Sequence, residues 1–291
     1  MLHSFARSLR ARRGHPLALL AFVLVRLSAL MVGGTLLGIL LYILFTGIPH
    51  LHPALFAPTW TPQNQSLLPA LENTLFMALL SLLLAVPLGM GGAIYLSEYA
   101  RRGSRLVDLI LLAADTLQGI PSIVFGLFGY VCFNIALGWG FSLLSGAVTL
   151  AMMILPLILR TTREALHAVP DSFREGSFGL GAGRVRTIFR IILPAAMPGV
   201  LSGVLLSIGR ILGESAALIY TAGSGTAPLA FGDGITAPLF QSARTLSVHM
   251  YCLMIEGLYL PQAHATAVVL LILVLGLNAL STLAANKLIP H

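Results

Sequence analysis

Charged residues are scarce in this chain, and lysine is nearly absent. Only 9% of its 291 residues are charged, whereas a soluble globular domain has about a quarter. Hydrophobic residues make up 57%, and the mean hydropathy is +0.92. The single lysine is Lys287. A nucleotide-binding Walker A loop needs Gly-Lys followed by Ser or Thr. Because that triplet is missing, any ATP hydrolysis that serves this chain must occur on another polypeptide.

Cysteine and histidine patterns exclude two further classes of site. Two cysteines, Cys132 and Cys252, do not make a disulfide framework. The eight histidines show no metal-ligand spacing, so we predict no metal site and no cofactor bound by this chain. The net charge of +7 is compatible with nucleic-acid binding. We reject that interpretation because the basic residues flank apolar runs and do not gather on one soluble face.

Long apolar runs fill most of the chain and predict an all-α polytopic membrane protein in the lipid bilayer. A helix that crosses a bilayer needs about 20 apolar residues. The third run carries Gly119-Ile120-Pro121 at its middle and is long for one straight span, which predicts a bend or break there. We therefore expect six transmembrane helices, at about 24–46, 72–97, 107–137, 142–160, 196–220 and 264–286.

Arginine orients these spans. All but two of the 17 lysine and arginine residues fall on one side of the predicted map, the exceptions being Arg210 inside a span and Arg244 on the other side. The positive-inside rule then places both termini in the cytoplasm. The predicted organisation is a basic N-terminus at 1–23, a first helix with an external loop at 24–69, a transmembrane domain at 70–286 and a tail at 287–291.

A polar insert at 161–193 interrupts the apolar runs on the cytoplasmic side. Pro170 and Asp171 are typical of a helix start. Gly179, Gly181 and Gly183 permit a tight turn after it. The residues that follow are predicted to form a second helix with one apolar face beside three arginines; the apolar residues are Val185, Ile188, Phe189 and Ile192, and the arginines are Arg184, Arg186 and Arg190.

The stretch from Glu175 to Pro194, EGSFGLGAGRVRTIFRIILP, resembles the signature E-A-A-x3-G-x9-I-x-L-P of the membrane subunits of bacterial ABC importers. Gly176 and Ser177 stand where the signature has alanines. The resemblance implies a short cytoplasmic helix that docks into a separate ATPase. The matching positions are Glu175, Gly176, Ser177, Gly181, Ile191, Leu193 and Pro194. The alternatives are a basic loop that only obeys the positive-inside rule and a glycine-rich phosphate cradle, although no strand precedes these glycines.

Two charges on the fifth span point to the transported substrate. Arg210 lies about ten residues past Val200, or roughly 15 Å into the bilayer at 1.5 Å per residue. Glu214 follows four residues later, which predicts one shared helix face. A charge at mid-span costs about 2.5–3.5 kcal/mol on insertion scales. We consider an anion pathway, in which the Arg210 fork binds a tetrahedral oxyanion and Glu214 neutralises Arg210 when no anion is present. The alternative is a structural ion pair that locks two helices together. Asp115 is a third candidate, expected to pair with Arg210 or to cap the break near Pro121.

Glycines near the spans have a simpler interpretation. Gly34 and Gly38, and likewise Gly126 and Gly129, are expected to allow close helix packing. The segment 119–122 is an alternative site at which backbone donors line a pore.

Three stretches resemble one subfamily, the phosphate-specific ABC permeases of the PstA type. They are GIPSIVFGLFG (119–129), GRILGESAALIYTAG (209–223) and RTLSVHMYCLMIEG (244–257). The resemblance implies the permease fold of type I ABC importers in a bacterial inner membrane. It implies a homologous PstC-like permease, two cytoplasmic ATPase subunits that use ATP and magnesium, and a periplasmic phosphate-binding protein. It also implies that Arg210 and Glu214 matter for transport, and that the chain is a transport subunit and not an enzyme.

Other functions remain open at this point. A permease for molybdate or phosphonate would share the same features. A proton-coupled carrier or a channel would share the apolar spans but not the need for an ATPase. A membrane enzyme is disfavoured because no carboxylate pair and no Ser/His/Asp set stands out near the membrane surface.

Overall fold

A computed structural model describes residues 16–101, 103–229 and 236–288, and within these ranges the protein is helical with no β-strand. The α-helices are α1 (Pro16–Gly47), α2 (Leu68–Ile94), α3 (Arg105–Gln118), α4 (Ser122–Gly129), α5 (Leu143–Ala168), α6 (Asp171–Gly179), α7 (Arg184–Thr187), α8 (Leu193–Gly213), α9 (Ala216–Thr221), α10 (Leu246–Glu256) and α11 (Leu260–Leu288). Helices α2, α4 and α7 each continue into a wider π-type turn, at Tyr95–Tyr99, Tyr130–Ala136 and Ile188–Ile192.

Helix length and composition account for the six predicted spans. Five helical segments are long and apolar enough to cross a membrane. A sixth span is counted if Arg105–Gln118 and Ser122–Ala136 are taken together, and these two are bent by 103°. The bend lies at Pro121, as predicted, because proline offers no backbone N–H and disfavours helical geometry in the residue before it.

The helix ends differ from the expected spans at the cytoplasmic insert. Helix α5 continues past residue 160 to Ala168, where Glu164 accepts a hydrogen bond from Arg160 one turn earlier at 3.0 Å. Such pairs favour helix even in a polar stretch. The fifth span begins at Arg184 and ends at Gly213, not at 196 and 220. The polar insert is therefore largely helical at both ends. Helix α1 likewise begins before residue 24.

The core lies between α2, α5, α8 and α9. Helices α2 and α5 share the most extensive contact of any pair among the described residues. Their side chains and those of α8 and α9 form one buried apolar cluster that includes Met77, Leu150, Ile154, Leu212 and Leu218. Helix α1, by contrast, is exposed along most of its length and meets α11 near Gly47.

Two pairs of glycines that were predicted to pack closely behave differently. A side chain at Gly126 would lie 2.7 Å from the Cα atom of Ala217, and one at Gly129 would lie 2.8 Å from a methyl group of Thr221. These glycines therefore let α4 pack on α9, as expected. The prediction for Gly34 and Gly38 is not met within this chain, because no described atom lies within 4 Å of either position.

The segment between the fifth and sixth spans, predicted to be external, is anchored to the start of α2. The Thr74 hydroxyl accepts a hydrogen bond from the Leu246 amide at 2.8 Å, and the Asn73 side chain donates to the Arg244 carbonyl at 3.3 Å. The Arg244 side chain is buried against Trp60 and donates to the Ser224 carbonyl at 3.2 Å. Helix α2 thus connects this segment to the opposite end of the protein.

Candidate functional site

Helices α6 and α7 form a helical hairpin, residues 171–192, whose turn depends on one glycine. Helix α6 begins directly after Pro170 and ends at Gly179. Gly181 has φ +80°, a left-handed conformation that glycine adopts without steric cost. The turn closes the open carbonyls of α6, because the Gly181 and Ala182 amides donate to Phe178 and Ser177 at 2.9 and 3.1 Å. The predicted tight turn is therefore located at Gly181.

A buried hydroxyl pair ties the two arms of the hairpin together. The Ser177 and Thr187 hydroxyl oxygens are 2.8 Å apart, and both residues are at most 5% exposed. Thr187 donates its hydrogen to the Gly183 carbonyl at 3.2 Å, so Ser177 is the donor to Thr187. An alanine at position 177, as in the signature, has no hydroxyl to make this bond. The departure from the signature at Ser177 thus adds a hydrogen bond between the two arms. Gly176, by contrast, is exposed with open space around it.

Arg174 fastens the first arm to the rest of the protein. Its guanidinium contacts the Glu98 carboxylate at 2.7 Å, and the two side chains are only 17% and 9% exposed. It also donates to the Leu166 and Val169 carbonyls at 3.0 and 2.9 Å. The pKa of Arg174 is raised, chiefly by the hydrogen bond to Glu98. No sequence pattern indicates this contact, because Glu98 and Arg174 are 76 positions apart and share no motif.

The apolar face predicted on the second arm is only partly buried in this chain. Ile188 and Ile192 are fully buried, whereas Val185 and Phe189 are exposed. Residues three or four apart lie on the same side of a helix, so the four residues form one face with a buried edge and an exposed edge. The exposed pair is part of a set of exposed apolar side chains on the hairpin, which we call together the hairpin patch; they are Phe173, Phe178, Leu180, Val185 and Phe189.

The remaining positions of the signature differ in burial. Glu175 is exposed on α6, next to Gly176. Ile191 and Leu193 are half-buried, and Ile191 packs against the cluster formed by the ends of α5 and α8. Pro194 stands at the start of α8, where its missing N–H costs no helical hydrogen bond. The signature therefore contains both exposed residues and residues that fix the hairpin to α8.

The prediction that Arg210 and Glu214 share a helix face is wrong. Helix α8 ends at Gly213, and Glu214 has an extended backbone with ψ 125°. The Glu214 carboxylate accepts a hydrogen bond from the Ala217 amide at 3.1 Å and so caps α9. The Glu214 carbonyl accepts a hydrogen bond from the Ser247 hydroxyl at 2.6 Å. The fifth membrane segment is thus broken at Glu214, and α10 is fastened to the break.

Arg210 has no carboxylate partner among the described residues. It is half-buried in the last turn of α8, and no acceptor for its guanidinium is found in residues 16–101, 103–229 and 236–288. A cation in this position is favoured by the negative end of the helix dipole. An arginine inside a membrane segment normally faces protein or a water-filled cavity. The arrangement presents a guanidinium beside a break in a transmembrane helix, with no described residue neutralising it.

Asp115 does not pair with Arg210 and does not cap the break at Pro121. It is exposed and contacts Arg160 of α5 at 3.2 Å. The segment 119–122 also differs from the alternative of free backbone donors. The Gly119 and Ile120 amides donate to the Thr116 and Leu117 carbonyls at 3.1 and 3.3 Å. These amides are therefore already satisfied within the chain.

Comparison with known proteins places this architecture in a family. Residues 85–291 match the family described as binding-protein-dependent transport system inner membrane component. The chain belongs to this family. It is accordingly an ABC transporter permease, a transport subunit of the inner membrane with several membrane-spanning helices.

Curated relatives support the same assignment over different lengths. The probable ABC transporter permease protein YqgI of Bacillus subtilis (strain 168) is 32% identical over 90% of this chain and 94% of its own length. The phosphate transport system permease protein PstA 1 of Mycobacterium tuberculosis (strain CDC 1551 / Oshkosh) is 39% identical over 56% of each chain. The PstA protein of Yersinia pestis is 38% identical over 62% of this chain and 63% of its own length.

Solved structures show the fold. One match is a chain of a bacterial ABC transporter involved in the import of the acidic polysaccharide alginate. The alignment covers 98% of this chain and 99% of that chain, with a TM-score of 0.68 at 17% identity. A chain of the MetNI methionine ABC transporter aligns with 77% of this chain and over 92% of its own length, with a TM-score of 0.53 at 19% identity. The predicted ABC importer permease fold is confirmed.

Proposed function

We propose that this permease translocates inorganic phosphate across a bacterial inner membrane by alternating access. The observation that carries this proposal is the Arg210 guanidinium at the break in the fifth membrane segment, which has no partner in the part of the chain that the structure describes. A guanidinium offers a planar fork of donors that matches a tetrahedral oxyanion. The PstA relatives, whose names specify phosphate transport, support this choice of cargo.

Glu214 has a different role in this proposal from the one expected at first. It holds the break open by capping α9, and it does not neutralise Arg210. The guanidinium therefore stays available to an anion in this conformation. Ser247 donates to the Glu214 carbonyl and links the break to α10. A movement of α10 on the outer side would then change how Arg210 is presented, which gives a route for release. Asp115, paired with Arg160, is proposed to lie along the same pathway.

The hairpin patch is the proposed docking surface for a separate ATPase. An exposed apolar surface of this kind marks a protein–protein contact, and a short amphipathic helix fits a groove on a partner. ATP binding would close an ATPase dimer and displace the hairpin. The work required is modest, because about 5.5 kcal/mol reverses a two-state equilibrium almost completely.

The assembly we propose contains this chain, a homologous PstC-like permease, two ATPase subunits that use ATP and magnesium, and a periplasmic phosphate-binding protein. One solved relative is a bacterial alginate ABC transporter in complex with a substrate-bound periplasmic protein. Helix α1, whose side chains are largely exposed in this chain, offers surface to the second permease and to lipid.

The test of cargo is uptake of labelled phosphate into proteoliposomes that contain the whole assembly and the binding protein. We expect uptake to require ATP and to be competed by unlabelled phosphate but not by molybdate or phosphonate. Uptake of label that unlabelled phosphate leaves unchanged would exclude phosphate as the substrate.

A permease for another oxyanion is the second candidate. It stays open because the relative that matches over 94% of its own length has a name that specifies no cargo. The guanidinium chemistry of Arg210 is common to all tetrahedral oxyanions. Competition by molybdate or phosphonate in the same assay would favour it. A proton-coupled carrier would instead retain uptake without the ATPase and lose it with the proton gradient.

A further inference from the structure

The cytoplasmic end of α2 contacts both arms of the hairpin. Beyond Ile94 the helix widens, and the Ala100 amide donates to the Tyr95 carbonyl five residues back at 2.9 Å. Turns of this type are rare and are frequent at functional sites. Adjacent residues of the turn contact different arms. Glu98 contacts Arg174 of α6, and the Tyr99 ring lies under the Arg184 guanidinium of α7 at 5.1 Å.

The Glu98–Arg174 contact is the stronger of the two. Glu98 receives hydrogen bonds from Nη2 of Arg174 at 2.7 Å and from Nε at 3.3 Å. Two donors of one planar guanidinium on one carboxylate fix orientation as well as distance. Both side chains are largely buried. Removing one partner of such a pair leaves an uncompensated charge in a poorly hydrated place, so the contact resists separation.

The far end of the same helix holds the outer segment. Thr74 accepts a hydrogen bond from the Leu246 amide, and Asn73 donates to the Arg244 carbonyl. Helix α2 has 27 residues from Leu68 to Ile94 and is thus about 40 Å long at 1.5 Å per residue. One helix therefore connects the hairpin to the segment that carries α10, and α10 contacts the break at Glu214 through Ser247.

We propose that Glu98 is a positioning residue that, with Arg174 and the Tyr99–Arg184 contact, forms a joint between the hairpin and α2. The joint transmits displacement of the hairpin along α2 to the outer segment. This inference rests on the proposed coupling of the hairpin to an ATPase. It assigns the transmission to specific side chains, of which Glu98, Tyr99 and Arg174 lie outside the signature stretch Glu175–Pro194 and Arg184 lies within it.

The test compares Glu98→Gln, Glu98→Asp and Glu72→Gln in the complete reconstituted assembly. Glu98→Gln removes the charge, and Glu98→Asp keeps it but withdraws the carboxylate by one methylene. Glu72→Gln is the matched control, because Glu72 is an exposed glutamate near the other end of α2 with no ion pair within the described part of the chain. The measured quantities are phosphate taken up per ATP hydrolysed and copurification of the ATPase.

We expect both Glu98 variants to retain the ATPase while uptake per ATP falls by about tenfold, the size of effect that residues in direct contact can exert on each other. The control should keep the wild-type ratio. A simple loss of folding would lower uptake and hydrolysis together and leave their ratio unchanged. If the Glu98→Gln variant does not assemble, the uptake per ATP of the Glu98→Asp variant tests the proposal.

Wild-type uptake per ATP in an assembled Glu98 variant would overturn the proposal. So would a loss of uptake that follows the loss of bound ATPase in proportion. Failure of the proposed function has a different signature, since the wild-type assembly itself would then hydrolyse ATP without moving phosphate. The two ideas can therefore fail separately.

Discussion

The hairpin at 171–192 and the break at 210–214 divide polar and apolar groups in opposite ways. In the hairpin the polar groups satisfy one another, through Ser177–Thr187 and Glu98–Arg174, and the apolar side chains of the hairpin patch are bare. At the break the apolar neighbours Ile211 and Leu212 are buried, and the Arg210 guanidinium has no partner within the described ranges. The first arrangement suits contact with another protein, and the second suits a transient anion.

The largest expected effect concerns Arg210, the charged residue at the break. Arg210→Ala should lower phosphate uptake by about a hundredfold, because it removes two hydrogen bonds from a charged donor at about 1.5 kcal/mol each. Assembly with the ATPase should persist. The matched control is Arg105→Ala, which removes an exposed arginine at the start of α3. Normal uptake by Arg210→Ala would refute a role in the pathway.

The next effect concerns the hairpin turn. Gly181→Val forces a β-branched residue into φ +80°, at a cost of roughly 1–3 kcal/mol. We expect ATPase copurification and phosphate-stimulated hydrolysis both to fall. Gly183→Ala is the control, because Gly183 has φ −73° and open space around it. If both quantities are unchanged in Gly181→Val, the hairpin is not the docking element.

A third prediction separates capping from charge at Glu214. Glu214→Gln keeps an oxygen to accept the Ala217 amide, whereas Glu214→Ala removes the cap and should cost about 1 kcal/mol of stability. We expect thermal unfolding of the assembly to shift downward in the alanine variant only. An equal downward shift of the unfolding temperature in both variants would mean that the charge of Glu214, and not its cap, stabilises the assembly.

The smallest effect lies within the hairpin. Ser177→Ala should cost about 1 kcal/mol, the net value of one hydrogen bond, because Thr187 retains its bond to Gly183. Uptake at saturating ATP should change little, and hydrogen exchange of the 171–192 amides should become faster. Unchanged exchange would show that the Ser177–Thr187 bond does not stabilise the hairpin.

Local spacing explains why much of the hairpin and the bend could be predicted. A glycine that permits a left-handed turn, a proline that starts or breaks a helix and an apolar run of spanning length all act within a few residues. Gly181, Pro170 and Pro121 are of this kind. Their effects are steric and do not depend on distant parts of the chain.

The features that were missed depend on where a chain segment packs. Arg210 and Glu214 have helical spacing. The Glu214 carboxylate nevertheless accepts a hydrogen bond from the Ala217 amide, and the Glu214 carbonyl accepts one from Ser247 of a distant segment. Those bonds favour a break over a continuous helix. Glu98 likewise finds Arg174 only once α2 and the hairpin are assembled. Neither contact has a local pattern.

The central claim is that hydrolysis of ATP by a partner drives phosphate through this chain. The most direct test measures ATP hydrolysis and phosphate uptake together in proteoliposomes that hold the full assembly, with the binding protein either empty or loaded with phosphate. We predict that the loaded protein stimulates hydrolysis and that uptake rises with it. Hydrolysis that ignores phosphate, or uptake that persists without ATP, would contradict the account.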